Sequence, residues 1–151
     1  SGQWKPPVLG NKVVLNGSVS YNVARFKDDA AGLALKDNEI PDSPRWLAQA
    51  GITYEITPWA LLNFSARHIG SRYSNFTNTE SVSGYTLYNA YLDLGGDNLR
   101  YGPLKGVKLR FNVDNLFDKD YLGYMLTSTT GPASYRPGSP RTFQTTLSAE
   151  F

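Results

Sequence analysis

The sequence has no cysteine, one histidine and one methionine. Without thiols it can form neither a disulfide framework nor a thiolate metal site. The lone His68, on the apolar side of an extended stretch, leaves a histidine metal centre or a Ser-His-acid cluster without its complement of ligands or partners. No catalytic residue, metal ligand or cofactor is therefore assigned. No run of about 18 apolar residues exists, so a transmembrane helix is excluded, though membrane-crossing strands are not. Neither charge sign dominates. The 15 basic and 13 acidic residues give a net charge of +2 and are scattered along the chain, which offers nucleic acid no basic patch to bind. Ser1 to Gly10 has neither the basic nor the apolar region of a signal peptide, so an export signal is expected to lie outside this chain.

What is present is tyrosine, phenylalanine and turn-formers: 10 Tyr, 7 Phe, 14 Gly and 9 Pro in 151 residues. The final stretch shows how they are arranged. Phe143, Thr145, Leu147, Ala149 and Phe151 fall on one face of an extended chain, and Thr142, Gln144, Thr146, Ser148 and Glu150 on the other. The same period of two predicts strands at 12–27, 45–56, 59–73, 84–94, 106–117 and 142–151. Residues 1–11, with Trp4, Pro6, Pro7 and Gly10, read as a connector to a single unit over 12–151. Long polar loops at 28–44, 74–83 and 118–141 alternate with turns at Thr57-Pro58 and 95–105.

Six strands of this length exceed the globular mean of about 5 to 6 residues and suit the tilted strands of a membrane barrel, which need about 9 to 11. The polar faces carry mostly Asn, Ser, Thr and Gln, as a watery lumen would. The apolar faces place Trp46, Trp59, Tyr54, Tyr21, Phe143 and Phe151 near strand ends and Ala48, Ala50, Leu62, Ala90 and Val19 between them, an aromatic girdle around an aliphatic band. The expected fold is all-β: an antiparallel up-and-down transmembrane β-barrel segment whose apolar face meets outer-membrane lipid. A lipocalin-like soluble barrel would turn that face inward. A passive porin-like channel remains a second rival.

Asn112-Val113-Asp114-Asn115-Leu116-Phe117-Asp118-Lys119-Asp120-Tyr121 resembles the penultimate-strand signature of TonB-dependent outer-membrane receptors. Gly138-Ser139-Pro140-Arg141, followed by an amphipathic strand ending at Phe151, resembles their ending. Pro41 with Asp42-Ser43-Pro44-Arg45, His68-Ile69-Gly70-Ser71-Arg72-Tyr73 and Gly84-Tyr85-Thr86-Leu87 resemble upstream strands of the same barrel. The resemblance implies a bacterial outer-membrane location and a 22-strand barrel around an N-terminal plug. It implies active import of ferric siderophores, cobalamin or related scarce nutrients, with a ferric siderophore expected here, powered by TonB through an N-terminal region. These six strands carry no plug and no TonB box, so the chain is expected to be the C-terminal piece of something larger.

On that reading Asn115, Leu116, Phe117, Tyr121, Pro140 and Arg141 are structural anchors. Phe151 with its alternating partners is the address read by the barrel-assembly machinery. The loops 74–83 and 118–141, the latter with Tyr124, Tyr135 and Arg136, are the candidates for first contact with substrate. Arg67 and Arg110, with Lys108, face the lumen, where they steer an anionic complex or pair with Glu55, Asp93 and Asp114. The acidic residues between Asp28 and Asp42 match no calcium-loop spacing and read as a solvated loop.

Overall fold

The computed structural model describes residues 1–7, 10, 12–29, 32–96, 105–128 and 132–150. Among them there is no helix. Eleven strands follow in chain order: β1 (Gly2–Trp4), β2 (Val13–Tyr21), β3 (Trp46–Thr57), β4 (Ala60–Ile69), β5 (Arg72–Tyr73), β6 (Ser81–Val82), β7 (Tyr85–Gly95), β8 (Lys105–Asp114), β9 (Leu122–Leu126), β10 (Ser134–Pro137) and β11 (Thr142–Glu150). Seven form one antiparallel sheet in the order β1-β2-β3-β4-β7-β8-β11. The remaining four make two small ribbons, β5-β6 and β9-β10, within the loops. All six long strands expected from the period-two pattern are present, and the chain is all-β and antiparallel as expected.

Three differences have local causes. Part of the stretch read as a connector is strand, since Gly2–Trp4 pairs with Leu15, Asn16 and Gly17 of β2. The first long strand ends at Tyr21, six residues early. After Asn22 N–H donates to Arg45 O, the chain forms its own ribbon, with Arg25 bridged to Glu39. The loops expected at 74–83 and 118–141 hold β6 and the β9-β10 hairpin. The tight turn at 95–105 falls largely outside the described residues, and so does Phe151.

Register fixes the faces. One row across the sheet runs Leu15, Ile52, Phe64, Ala90, Val113, Phe143, and the next runs Val13, Tyr54, Leu62, Leu92, Phe111, Thr145. The opposite face carries Val14, Thr53, Asn63, Tyr91, Asn112 and Gln144 in one row and Asn16, Gly51, Ser65 and Asn89 in another. A soluble sandwich would bury the first face under a second layer. Here it is bare: Val19 is 65% exposed, Phe143 72% and Leu147 70%, and Ile52, Leu62, Phe64 and Phe111 are also exposed. No charged side chain interrupts these two rows. Such a continuous apolar surface is stable in hydrocarbon and a liability in water.

The side chains that are buried lie away from the middle of this wall. Leu35, Tyr85 and Met125, with Glu39, Arg72, Ser74 and Asn115, are buried where the long loops gather, while Val13 and Ala60 are buried near the opposite rim. The wall itself is held by its ladder of backbone hydrogen bonds and by lipid-facing cross-strand pairs, including Tyr21 against Trp46 with ring centroids 4.7 Å apart and Phe64 stacked on Tyr88 at 5.8 Å.

Candidate functional site

β8 ends because Asn115 turns left-handed, at φ 53°. Asparagine is among the few side chains that tolerate this region, and here it uses its amide to join both sides of the last loop. Asn115 is 4% exposed. Its Nδ2 donates to Lys119 O (3.0 Å) and Ser139 O (3.1 Å), its Oδ1 accepts from Lys119 N–H (2.8 Å), and its own N–H donates to Asn89 Oδ1 on β7 (2.9 Å). Asp118, also left-handed at φ 52°, accepts Arg141 N–H at 2.8 Å and so fixes the start of β11. Tyr121 lies flat against Gly138, where any Cβ would overlap its ring, and Gly138 N–H donates to Tyr121 O. Leu116 N–H donates to Tyr88 O, and exposed Phe117 packs edge-on to the Tyr88 ring at 5.1 Å. Pro140 O accepts the Thr142 hydroxyl, and the Arg141 guanidinium sits over the lipid-facing Phe143 ring. The whole motif ties the top of β8 to the top of β11.

Beside this knot the loops form a cap. The first loop (residues 22–45) and second loop (residues 70–84) interlock. Asn38 Nδ2 donates to Phe76 O, Glu39 N–H donates to Asn78 Oδ1, and Asn78 Nδ2 returns a bond to Glu39 O. Asp42 N–H donates to Tyr73 O, and Phe26 packs on Phe76. Arg45 forms an ion pair with Glu39. The acidic residues read as solvated therefore divide: Glu39 and Asp42 are spent on ion pairs, and Asp29 accepts the N–H groups of Leu35 and Lys36. No metal-holding group of acidic or histidine side chains occurs among the described residues.

The Arg45 hydrogen bond holds the Glu39 carboxyl below the usual carboxylate range, against the opposing effect of burial, with the Arg45 and Arg25 charges assisting. A carboxylate depressed in the folded state stabilises fully above its unfolded pKa, and that contribution is lost as pH falls through the folded value. Proteolytic nicking of the first loop should therefore rise below the ordinary glutamate range, and Glu39→Gln should abolish that acid-side rise. An unchanged pH profile in Glu39→Gln would refute it.

The candidate contact residues separate. On the β9-β10 hairpin Arg136 pairs with Tyr124, and Tyr135 with Met125. Tyr124, Leu126, Ser134 and Arg136 consequently share one face, which lines a cavity of about 660 Å³. Tyr135 takes the other face and lines a cleft of about 480 Å³ with Ser81, Ser83, Tyr85, Lys119 and Tyr121. The sequence marks the two loops that line this cleft but not the tyrosine pair within it. Tyr85 and Tyr121, with ring centroids 4.5 Å apart, come from segments 36 positions apart in the chain, and no local pattern joins them.

On the inner wall Arg110 donates to both Asp93 oxygens at 2.6 Å and lies 4.3 Å from the Tyr91 ring centre. Asp114 accepts from Asn112 instead. Arg67 makes no ion pair among the described residues; it lies beside Ser18, Ser20 and Gln49. Because Arg110 is half exposed, water screens its pair with Asp93. A double-mutant cycle on Asp93→Asn and Arg110→Gln should give a coupling of about 1 kcal/mol or less; a value several times larger would show a drier wall.

A single antiparallel wall with a bare apolar face, a polar opposite face and long loops gathered at one end is the wall of a membrane-spanning β-barrel. The family model for TonB-dependent receptor-like β-barrels matches residues 1–116. The chain belongs to that family of outer-membrane receptors, which is a transport family rather than an enzymatic one. It is 31% identical over 84 residues to a probable TonB-dependent siderophore receptor, PiuA, of Acinetobacter baumannii, a match covering 56% of this chain and 10% of that protein. It is 29% identical over 117 residues to the ferrioxamine receptor of Yersinia enterocolitica, covering 76% of this chain and 16% of the relative. The unliganded ferric citrate transporter FecA superposes with a TM-score of 0.77 at 20% identity, over 95% of this chain and 22% of the other. This last likeness carries the shared fold beyond residue 116.

Proposed function

We propose that this chain forms part of a 22-strand outer-membrane receptor barrel that imports a ferric siderophore with energy delivered by TonB. The observation that carries the reading is the orientation of the wall: apolar side bare toward lipid, polar side toward a lumen, loops knitted into a cap at the long-loop end. Two relatives, one named as a siderophore receptor and one as a ferrioxamine receptor, support the substrate class. In this reading Gly2–Trp4 and residues 12–151 together belong to the barrel. Asn115, Leu116, Phe117, Tyr121, Pro140 and Arg141 anchor the last hairpin, and Phe151 is the assembly address. The Tyr124–Arg136 face meets substrate first, since a guanidinium and a phenol together suit an anionic, planar chelate.

The test uses the full-length receptor in an iron-limited strain lacking its own. Energised uptake of one or more ferric siderophores, abolished when TonB is deleted, is the expected result; uptake that persists without TonB would leave a passive channel. In the same assay Tyr124→Ala with Arg136→Ala should weaken binding about tenfold, a loss of about 1.4 kcal/mol. Unchanged affinity would remove this face from the substrate path.

A further inference from the structure

Arg72 is a charged side chain, buried in the cap, that touches three separate parts of the chain at once. It is 4% exposed. Its Nε donates to Asp42 Oδ1 of the first loop at 2.6 Å, and its Nη2 donates to Leu122 O at the start of β9 at 2.8 Å. Its guanidinium carbon lies 5.7 Å from the Tyr85 ring centre at the head of β7. Its Nη1 is buried with no partner among the described residues. Two of these neighbours, Tyr85 and Leu122, are themselves walls of the cleft between the second loop and the third (residues 115–141).

We propose that Arg72 is the positioning residue that sets the width of this cleft. The first and second loops are joined by several hydrogen bonds that do not involve Arg72, so they form one body without it. The third loop approaches that body at the guanidinium, beside the Tyr85–Tyr121 ring contact. Withdrawing Leu122 O would strip a second donor from a buried cation that already has one arm unmatched, and an unmatched buried donor costs its full desolvation. The guanidinium thus holds the hairpin in. Lysine cannot substitute: a compact ammonium keeps the Asp42 pair but lacks the planar fork that spans a carboxylate and a carbonyl together. The use of the cleft for substrate rests on the proposed function; its construction does not.

The test is a distance measurement in the full-length receptor in lipid bilayers, without any substrate. Nitroxide labels at Ser83→Cys and Asp120→Cys, both exposed, report across the cleft. Labels at Asp37→Cys and Thr77→Cys report between the first two loops. Arg72→Lys should lengthen and spread the first distance and leave the second unchanged, and Arg72→Gln should displace the first at least as far. A cleft distance unmoved in Arg72→Lys overturns the proposal, as does a loosening of both pairs together. Folding is scored by heat-modifiable migration, and if Arg72→Gln does not fold, Arg72→Lys decides alone. Failure of import would not alter this readout, so the two readings fail separately.

Discussion

Replacing Ala90 by arginine will destabilise the folded barrel by about 2 to 4 kcal/mol in a bilayer, the cost of a cation near the midplane of the lipid face. Ala90 lies mid-row between Phe64 and Val113 on the bare apolar side. Ser65, one row away on the opposite side between Gly51 and Asn89, faces water, and Ser65→Arg should cost about 1 kcal/mol or less, in the ordinary range for a surface change. Denaturant titration of the refolded receptor in bilayers measures both. Equal costs at the two positions, or a larger cost at Ser65, would mean that the faces are assigned the wrong way round. No soluble sheet with an inward apolar core predicts this contrast in lipid.

The second large effect lies at the knot between β8 and β11. Asn115→Ala removes the three part-buried hydrogen bonds that the amide makes with Lys119 and Ser139, at about 0.5 to 1.5 kcal/mol each. It also puts a Cβ-bearing residue without a local hydrogen bond at φ 53°, which adds about 1 to 2 kcal/mol. A total loss of about 3 kcal/mol or more is expected. Asn115→Gly relieves the backbone strain but not the lost bonds, so it should recover only the smaller share. Gly138→Ala should cost about 1 to 3 kcal/mol by overpacking against the Tyr121 ring. If Asn115→Gly restores full stability, the hydrogen bonds are unimportant and the turn geometry alone explains the asparagine.

The wall was legible in the sequence because period-two alternation is a local property. Val19, Ala48, Ala66 and Tyr88 reveal their face from their own neighbours in the chain, whatever lies beside them. The cap was not legible for the opposite reason. Glu39 meets Asn78 and Arg72 meets Leu122 across 39 and 50 positions, and polar loop residues give no periodic sign of which partner they will find. Arg45 and Arg72 fall inside segments that resemble barrel strands, whereas their guanidinium groups serve the loops. Residue type alone marks Tyr124, Tyr135 and Arg136; the hairpin puts Tyr124 and Arg136 on one face, and Tyr135 points to the other side because a one-residue step in a strand reverses direction.

The bareness of the wall has a consequence for how it tolerates change. A protein interior is a solid jigsaw in which a single methylene is felt, but the partner of Ile52, Phe64 or Leu147 on this surface is a fluid that reshapes itself around whatever outline it meets. Swapping leucine, isoleucine and phenylalanine among these positions should be nearly free. At the outward wall the molecule specifies greasiness and leaves shape to the solvent.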